Sequence, residues 1–133
     1  MTQEDKMLLI KDLSSRLPYA VHVQHISGVS SILRNISIFH KYDKNDNIYD
    51  AICYTNFFRD WNGITIEQFK PYLFPLSSMT EEQEKEYNNL NCYELDYFPH
   101  SEKALDYLTK NHFDYRHLIE KGLAIDATGL NIY

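Results

Sequence analysis

Apolar positions recur every three to four residues between Leu9 and Leu17, so they share one face of a helix. Thr2 has a side chain that caps helix starts, and the acidic Asp5 follows in the first turn. Pro18 cannot continue a helical hydrogen-bond ladder. The pattern therefore predicts an amphipathic helix over residues 2–17.

From residue 19 the spacing changes to the alternation that is typical of strands. Residues 21–25 and 32–39 form a hairpin pattern around Ser27 and Gly28, and residues 48–58 continue it after a polar turn. Residues 64–66 leave open whether a fourth strand follows. These short turns predict a small, curved antiparallel sheet of three to four strands behind the first helix.

Pro71 and Pro75 bracket a segment that we expect to be extended rather than helical. Thr80 and Gln83 then have the spacing of a capping box and predict a second helix, which fades near residues 88–89.

A third helix is expected from Ser101, and a short helical piece over residues 112–121 would end at Gly122 as a C-terminal cap. The predicted class is α+β: an N-terminal helix, the sheet, and two to three C-terminal helices in one compact domain over residues 1–133.

The net charge of −6 lies entirely in the second part of the chain. Residues 1–79 hold eight acids and eight bases, whereas residues 80–133 hold eleven acids and five bases. Glu81, Glu82 and Glu84 belong to this acidic segment and form either a solvated helix face or a surface for a basic partner. The acidic balance argues against nucleic acid as the partner, because phosphate binding needs clustered Lys and Arg.

No run of apolar residues approaches the ~20 of a membrane span, and the N-terminus lacks the build of a signal peptide. Cys53 and Cys92 are far apart, and we interpret both as reduced core residues. We therefore expect a cytoplasmic protein without a membrane partner.

Signals of catalysis are weak along the whole chain. The four glycines are isolated, so no phosphate-binding loop is present, and no nucleophile motif surrounds the serines or cysteines. His112, Asp114 and His117 could hold a metal, but on a helix His112 and His117 would lie about 140° apart. We expect no cofactor and no enzyme activity; a metal-dependent enzyme is kept as an alternative.

The unusual feature of the composition is its aromatic content: eleven Tyr, seven Phe and one Trp. Many of these rings fall in the strand region next to arginines, a combination found in protein hot spots and in single-stranded nucleic-acid platforms. Filling a small core is the other use that the rings could have. With the three glutamates of the acidic segment, the predicted interaction residues are Arg34, Tyr49, Tyr54, Phe58, Arg59, Trp61, Glu81, Glu82 and Glu84.

Three blocks of sequence carry a resemblance: residues 2–19, residues 70–83 (KPYLFPLSSMTEEQ), and residues 112–116 with 118–124 (HFDYR and LIEKGLA). The chain resembles a family of short uncharacterised proteins encoded by gut bacteria, their prophages and other mobile elements. That resemblance implies a phage or mobile-element accessory protein and no mechanism. Residues 20–60 depart from the family pattern, so any functional variation is expected there.

The leading hypothesis from the sequence is a non-catalytic interaction module for a host or phage protein. A small β-barrel-like protein that binds nucleic acid through its strands is the alternative. Residues 123–133 stay apolar, which indicates that they dock on the same domain or on a second copy. The sequence leaves a monomer and a small homo-oligomer open.

Overall fold

The computed structural model describes residues 1–42, 47–56, 64–91 and 102–133, and of residues 41, 42, 47–49 and 91 only the backbone. These residues form three α-helices and seven β-strands, which join in one mixed sheet. The helices are α1 (Gln3–Arg16), α2 (Glu81–Asn91) and α3 (Glu102–Lys110). The strands are β1 (His22–His25), β2 (Ser30–Tyr42), β3 (Asn47–Thr55), β4 (Ile64–Thr65), β5 (Phe69–Pro75), β6 (Phe113–Asp114) and β7 (Ile125–Asp126).

The first two predicted helix starts have the expected capping geometry, whereas the third, Ser101, lies outside the described residues. At α1 the Thr2 hydroxyl accepts a hydrogen bond from the Asp5 amide at 3.1 Å, and the Asp5 carboxylate accepts one from the Thr2 amide at 3.2 Å. At α2 the Thr80 hydroxyl and the Gln83 side chain make the same exchange at 3.2 and 2.9 Å. Each capping box provides hydrogen-bond acceptors for two backbone amides at the helix start, where amides have no partner within the helix.

The sheet is larger than the sequence indicated, and it is mixed rather than antiparallel. The strand order is β4-β3-β2-β1-β5-β6, and β7 also pairs with β5. The pairs from β4 to β5 are antiparallel, whereas β6 and β7 each run parallel to β5. The sequence predicted too few strands, three to four, for two reasons. β5 contains two prolines, which argue against a strand, and two-residue strands such as β6 are too short to show an alternation of apolar and polar residues.

Residues 112–121 were predicted to be helical, and that prediction is wrong. His112 and His117 have left-handed φ angles of 61° and 60°, which no α-helix accommodates, and Phe113 and Asp114 form β6 instead. Gly122 was predicted to cap the end of this helical piece, and it closes a turn that is shorter than the predicted helix. Its amide donates to Ile119 and the Leu123 amide to Leu118, the pair of bonds that closes a Schellman motif at a left-handed glycine.

The core lies between α1 and the sheet. Leu9 and Leu13 of α1 are fully buried against Val23, Cys53 and Phe69 of the strands. Leu118 and Leu123 of the closing segment join the same cluster. The tail of the chain therefore packs on its own sheet.

In the part of the chain that is described, no helix is long and apolar enough to cross a membrane.

Candidate functional site

Of the interaction residues that the sequence predicted in the strand region, Arg34 and Tyr54 can be placed, and both belong to the β2–β3 hairpin. Arg34 is exposed, and its Nε donates to the Oδ1 atom of Asn56 at 2.8 Å. Tyr54 pairs with Asn35 across the hairpin and is half-buried. The side chain of Tyr49 and the whole of Phe58, Arg59 and Trp61 lie outside the described residues.

The predicted acidic residues lie on a different element. Glu81, Glu82 and Glu84 are exposed on the first turns of α2. This helix packs on α3, where the Tyr107 hydroxyl donates to Glu86 at 3.0 Å. Burial and this bond raise the pKa of Tyr107 to about 12. The predicted residues therefore form two separate surfaces rather than one site.

Beyond its first residues, β2 leaves the middle of the sheet. β1 pairs with β2 only from Ser30 to Ile32, and Arg34 is the extra residue of a β-bulge in the pairing with β3. A bulge bends its strand and increases the twist, so β2 diverges from β1 at this point. Among the described strands, residues 34–38 of β2 pair with β3 alone. We call the other side of this segment the open edge.

A feature that the sequence did not reveal is a cleft at the end of α3. It has a volume of about 460 Å³ and is bounded by the aromatic rings of Phe74, Phe113 and Tyr133. Polar groups of Ser78, Asn111 and Thr128 share its wall, with Lys110 at one side. We call it the His112 cleft, because His112 also lines it.

His112 is held by Tyr133. The two rings stack at 3.7 Å between centroids and 11° between planes. The Tyr133 hydroxyl donates to the Tyr72 carbonyl at 2.8 Å and accepts from the His22 amide at 2.9 Å. These bonds fix the tail across β1 and β5, and burial raises the pKa of the Tyr133 phenol well above its usual range.

His112 is only 8% exposed, and its buried Nδ1 atom has no hydrogen-bond partner among the residues that the structure describes. Burial, together with the positive charge of Arg16 and the nearby His22, lowers the pKa of His112 to about 4 against the opposing effect of Asp12. The ring is therefore neutral at physiological pH.

A buried ion cluster lies beneath the cleft. Asp12 and Arg16 are both fully buried, with Nε–Oδ2 at 2.9 Å and Nη2–Oδ1 at 3.1 Å. Arg116 Nη1 contacts the same carboxylate at 2.7 Å, and Arg16 donates to the Phe113 carbonyl at 2.6 Å. The i, i+4 spacing of Asp12 and Arg16 beside the apolar face was the sequence signal for this cluster.

The three residues considered as metal ligands have separate structural roles. Each carboxylate oxygen of Asp114 accepts a hydrogen bond from a backbone amide, one from Leu118 at 2.9 Å and one from Ile119 at 2.8 Å. His112 stacks on Tyr133, and the side chain of His117 is 64% exposed. Within the described ranges, no three His, Cys, Asp or Glu side chains are grouped to hold a metal ion.

Cys53 is a fully buried free cysteine. Burial, together with the negative charge of Asp50, raises the pKa of its thiol to about 12. Because the reactive form of cysteine is the thiolate, Cys53 has the environment of an inert core residue. Cys92 lies outside the described residues.

No protein-family model, no curated protein and no solved structure matches this chain.

Proposed function

We propose that this protein is a non-catalytic interaction module that docks a protein partner along the open edge of β2. The observation that carries the proposal is that, among the described strands, residues 34–38 pair on one side only, because an open strand edge presents backbone N–H and C=O groups to a further strand. The expected setting is the cytoplasm of a host that carries a phage or mobile element, as the sequence resemblance implies.

The side chains beside the edge favour a strand as the partner. Ile38 is 51% exposed, so one large apolar side chain is available beside the edge, whereas Ile36 packs against the core. Added strands gain affinity from main-chain hydrogen bonds and specificity from the alternate side chains. Arg34 at the bulge is held by Asn56, which fixes a positive charge at one end of the edge.

Charge indicates which strand would fit. β2 contains Arg34 and Lys41 and no acidic residue, in a protein whose net charge is −6. A second copy would bring the same positive charges to its own edge, and like charges on neighbouring strands are unfavourable. An extended apolar and acidic segment of another protein is therefore the partner that we propose.

The other exposed surfaces select a partner less clearly. A shallow groove of about 540 Å³ follows the outer side of α1, but Glu4 and Lys11 give it charges of both signs. The acidic start of α2 is exposed to solvent and has no apolar centre in its first turn.

The experiment is affinity capture from lysates of candidate host cells with the wild type and two edge variants, Ile38→Glu and Arg34→Glu. Both variants add negative charge at the edge, so we expect each to reduce recovery of the captured protein by about tenfold or more. Backbone amides of residues 34–38 should also become protected from hydrogen exchange in the complex.

Ile26→Glu is the matched control, since Ile26 is 72% exposed but lies in the β1–β2 turn, away from the edge. Equal capture by Ile38→Glu and the wild type would reject the open edge as the docking surface. Binding of single-stranded DNA with a steep salt dependence would instead favour the nucleic-acid alternative.

A further inference from the structure

Two unfavourable features coincide at His112, in the wall of the His112 cleft. Its φ angle of 61° is rare for residues other than glycine, and no described residue offers its buried Nδ1 atom a hydrogen bond. Strained backbone and unsatisfied polar groups tend to occur together at ligand sites, where the surrounding structure maintains them. The His112 cleft is therefore the candidate ligand site of this protein.

The wall of the cleft indicates the shape of the ligand. Phe74 and Tyr133 lie 5.8 Å apart between ring centroids, and Phe113 lies 6.2 Å from Phe74. The ring planes are tilted by 54° and 55°, so ring edges and faces together give an apolar lining against which a flat aromatic ring can pack. A volume of about 460 Å³ is within the range of small-molecule sites.

Charge indicates that the ligand is an anion. Lys110 is the only charged side chain among the described residues that line the cleft. Arg16 lies close enough to lower the pKa of His112, and the carboxylate of Asp12 is already paired with Arg16 and Arg116. This positive region lies in a protein that is acidic overall, so its sign is specific to the cleft.

We propose that the His112 cleft binds a small planar aromatic anion, a ring that carries a carboxylate or a phosphate. The ring packs against Phe74 and Tyr133, and the anionic group pairs with Lys110. His112 holds the Tyr133 ring in place by stacking on it. The inference is independent of the open edge of β2.

The test is isothermal titration at pH 7 and low salt with two matched pairs of probes. 4-Hydroxybenzoate and 4-hydroxybenzamide compare a carboxylate with its neutral counterpart; AMP and adenosine do the same for a phosphate. We expect the anion of at least one pair to bind more tightly than its neutral counterpart. The pair that binds identifies the anionic group.

Variants assign binding to the cleft. Lys110→Met should weaken binding of the anion about tenfold, as expected for the loss of one charge-assisted hydrogen bond, and should remove the preference over the neutral probe. Lys103→Met is the control, because Lys103 is exposed on the same helix and does not line the cleft. His112→Asn removes the ring on which Tyr133 stacks and should weaken both members of the pair, and asparagine tolerates the left-handed backbone.

The proposal fails if no probe binds at millimolar concentration, or if Lys110→Met and Lys103→Met bind the anion equally. Wild-type affinity for 4-hydroxybenzoate, whose carboxylate is ionised throughout, should change little between pH 6 and pH 8, because His112 stays neutral in this range. A steep change in 4-hydroxybenzoate binding over that interval would contradict the neutral state of His112 in the cleft wall.

Discussion

The ring of His112 shows how one residue can be costly for folding while it supports a cleft. Its backbone is left-handed, no described residue hydrogen-bonds to its Nδ1, and its ring is packed flat against Tyr133. His117 has nearly the same backbone conformation, with φ of 60°, but its side chain is 64% exposed. A comparison of His112 and His117 therefore distinguishes the effect of burial on stability from the effect of the left-handed backbone.

The buried imidazole makes stability depend on pH. Unfolded His112 takes up a proton near its ordinary pKa of 6.5, whereas folded His112 does so only at about 4, so acid favours the unfolded chain. The loss begins as the pH falls below about 6.5 and reaches about 2–3 kcal/mol near pH 4. Above pH 7.5 His112 should contribute no further change.

Urea unfolding from pH 7.5 to pH 4 checks this prediction by comparing the wild type with His112→Asn. The variant should lose less stability on acidification, by the same 2–3 kcal/mol. His22 has a pKa that burial also lowers, but it is present in both proteins and cancels in the difference. His117→Asn is the control and should follow the wild type, and parallel curves for His112→Asn and the wild type would contradict the prediction.

At the scale of the elements, helix starts are set by a few local hydrogen bonds. α2 depends on its cap more than α1 does, because its residues are mostly exposed and bury little apolar surface. Its first turn also places Glu81, Glu82 and Glu84 near the helix N-terminus, where negative charge is favourable.

Replacing Thr80 with alanine removes the hydroxyl that accepts the Gln83 amide. We expect a loss of about 1 kcal/mol, the usual cost of a helix N-cap, and faster hydrogen exchange in the first turn of α2. Thr80→Ser retains the hydroxyl and should stay close to the wild type. If alanine and serine have equal effects on unfolding, the capping bond contributes no stability.

Local signals predicted the elements that local chemistry determines. The capping residues marked the starts of α1 and α2, and alternation of apolar residues marked β1, β2 and β3. β6 and β7 escaped prediction because each consists of two residues whose partner, β5, is far away in sequence. The helix expected over residues 112–121 failed because Asp114 uses both oxygens to organise a turn instead.

The candidate sites follow the same division. The sequence identified Arg34 and Tyr54, and both belong to the β2–β3 hairpin. No pattern in the sequence indicates the bulge at Arg34 or the point after Ile32 where β2 stops pairing with β1. The open edge was therefore not predicted. The His112 cleft joins residues from β5, α3 and the tail, and only tertiary packing brings them together.

At the scale of the whole molecule, segments from the beginning, the middle and the end of the chain meet. Asp12 pairs with Arg116, and Phe74 pairs with Phe113 across β5 and β6. These segments form the frame, and we propose that the strands between the first two of them supply the partner-specific surface along the open edge.

Removing the charge of Asp12 should destabilise this frame. Asp12→Asn would leave the buried Arg16 without its ion partner and weaken the hold on Arg116, at a cost of about 3–5 kcal/mol. Urea unfolding at pH 7 measures the loss. Asp106→Asn is the control, because it removes the same charge at an exposed position of α3. Its free energy of unfolding should differ from that of the wild type by no more than about 0.5 kcal/mol. Equal losses in both variants would show that the buried cluster does not stabilise the fold.

The bonds that fasten the tail connect residues that are remote along the chain. The Tyr133 hydroxyl meets the His22 amide across 111 positions, and Arg116 meets Asp12 across 104. Closing such long loops costs conformational entropy before the contacts that stabilise them can form. Chains with many non-local contacts therefore fold slowly. Refolding after dilution from urea should accordingly be slower than in a helical bundle of the same length, with the hairpin acquiring protection before the tail does.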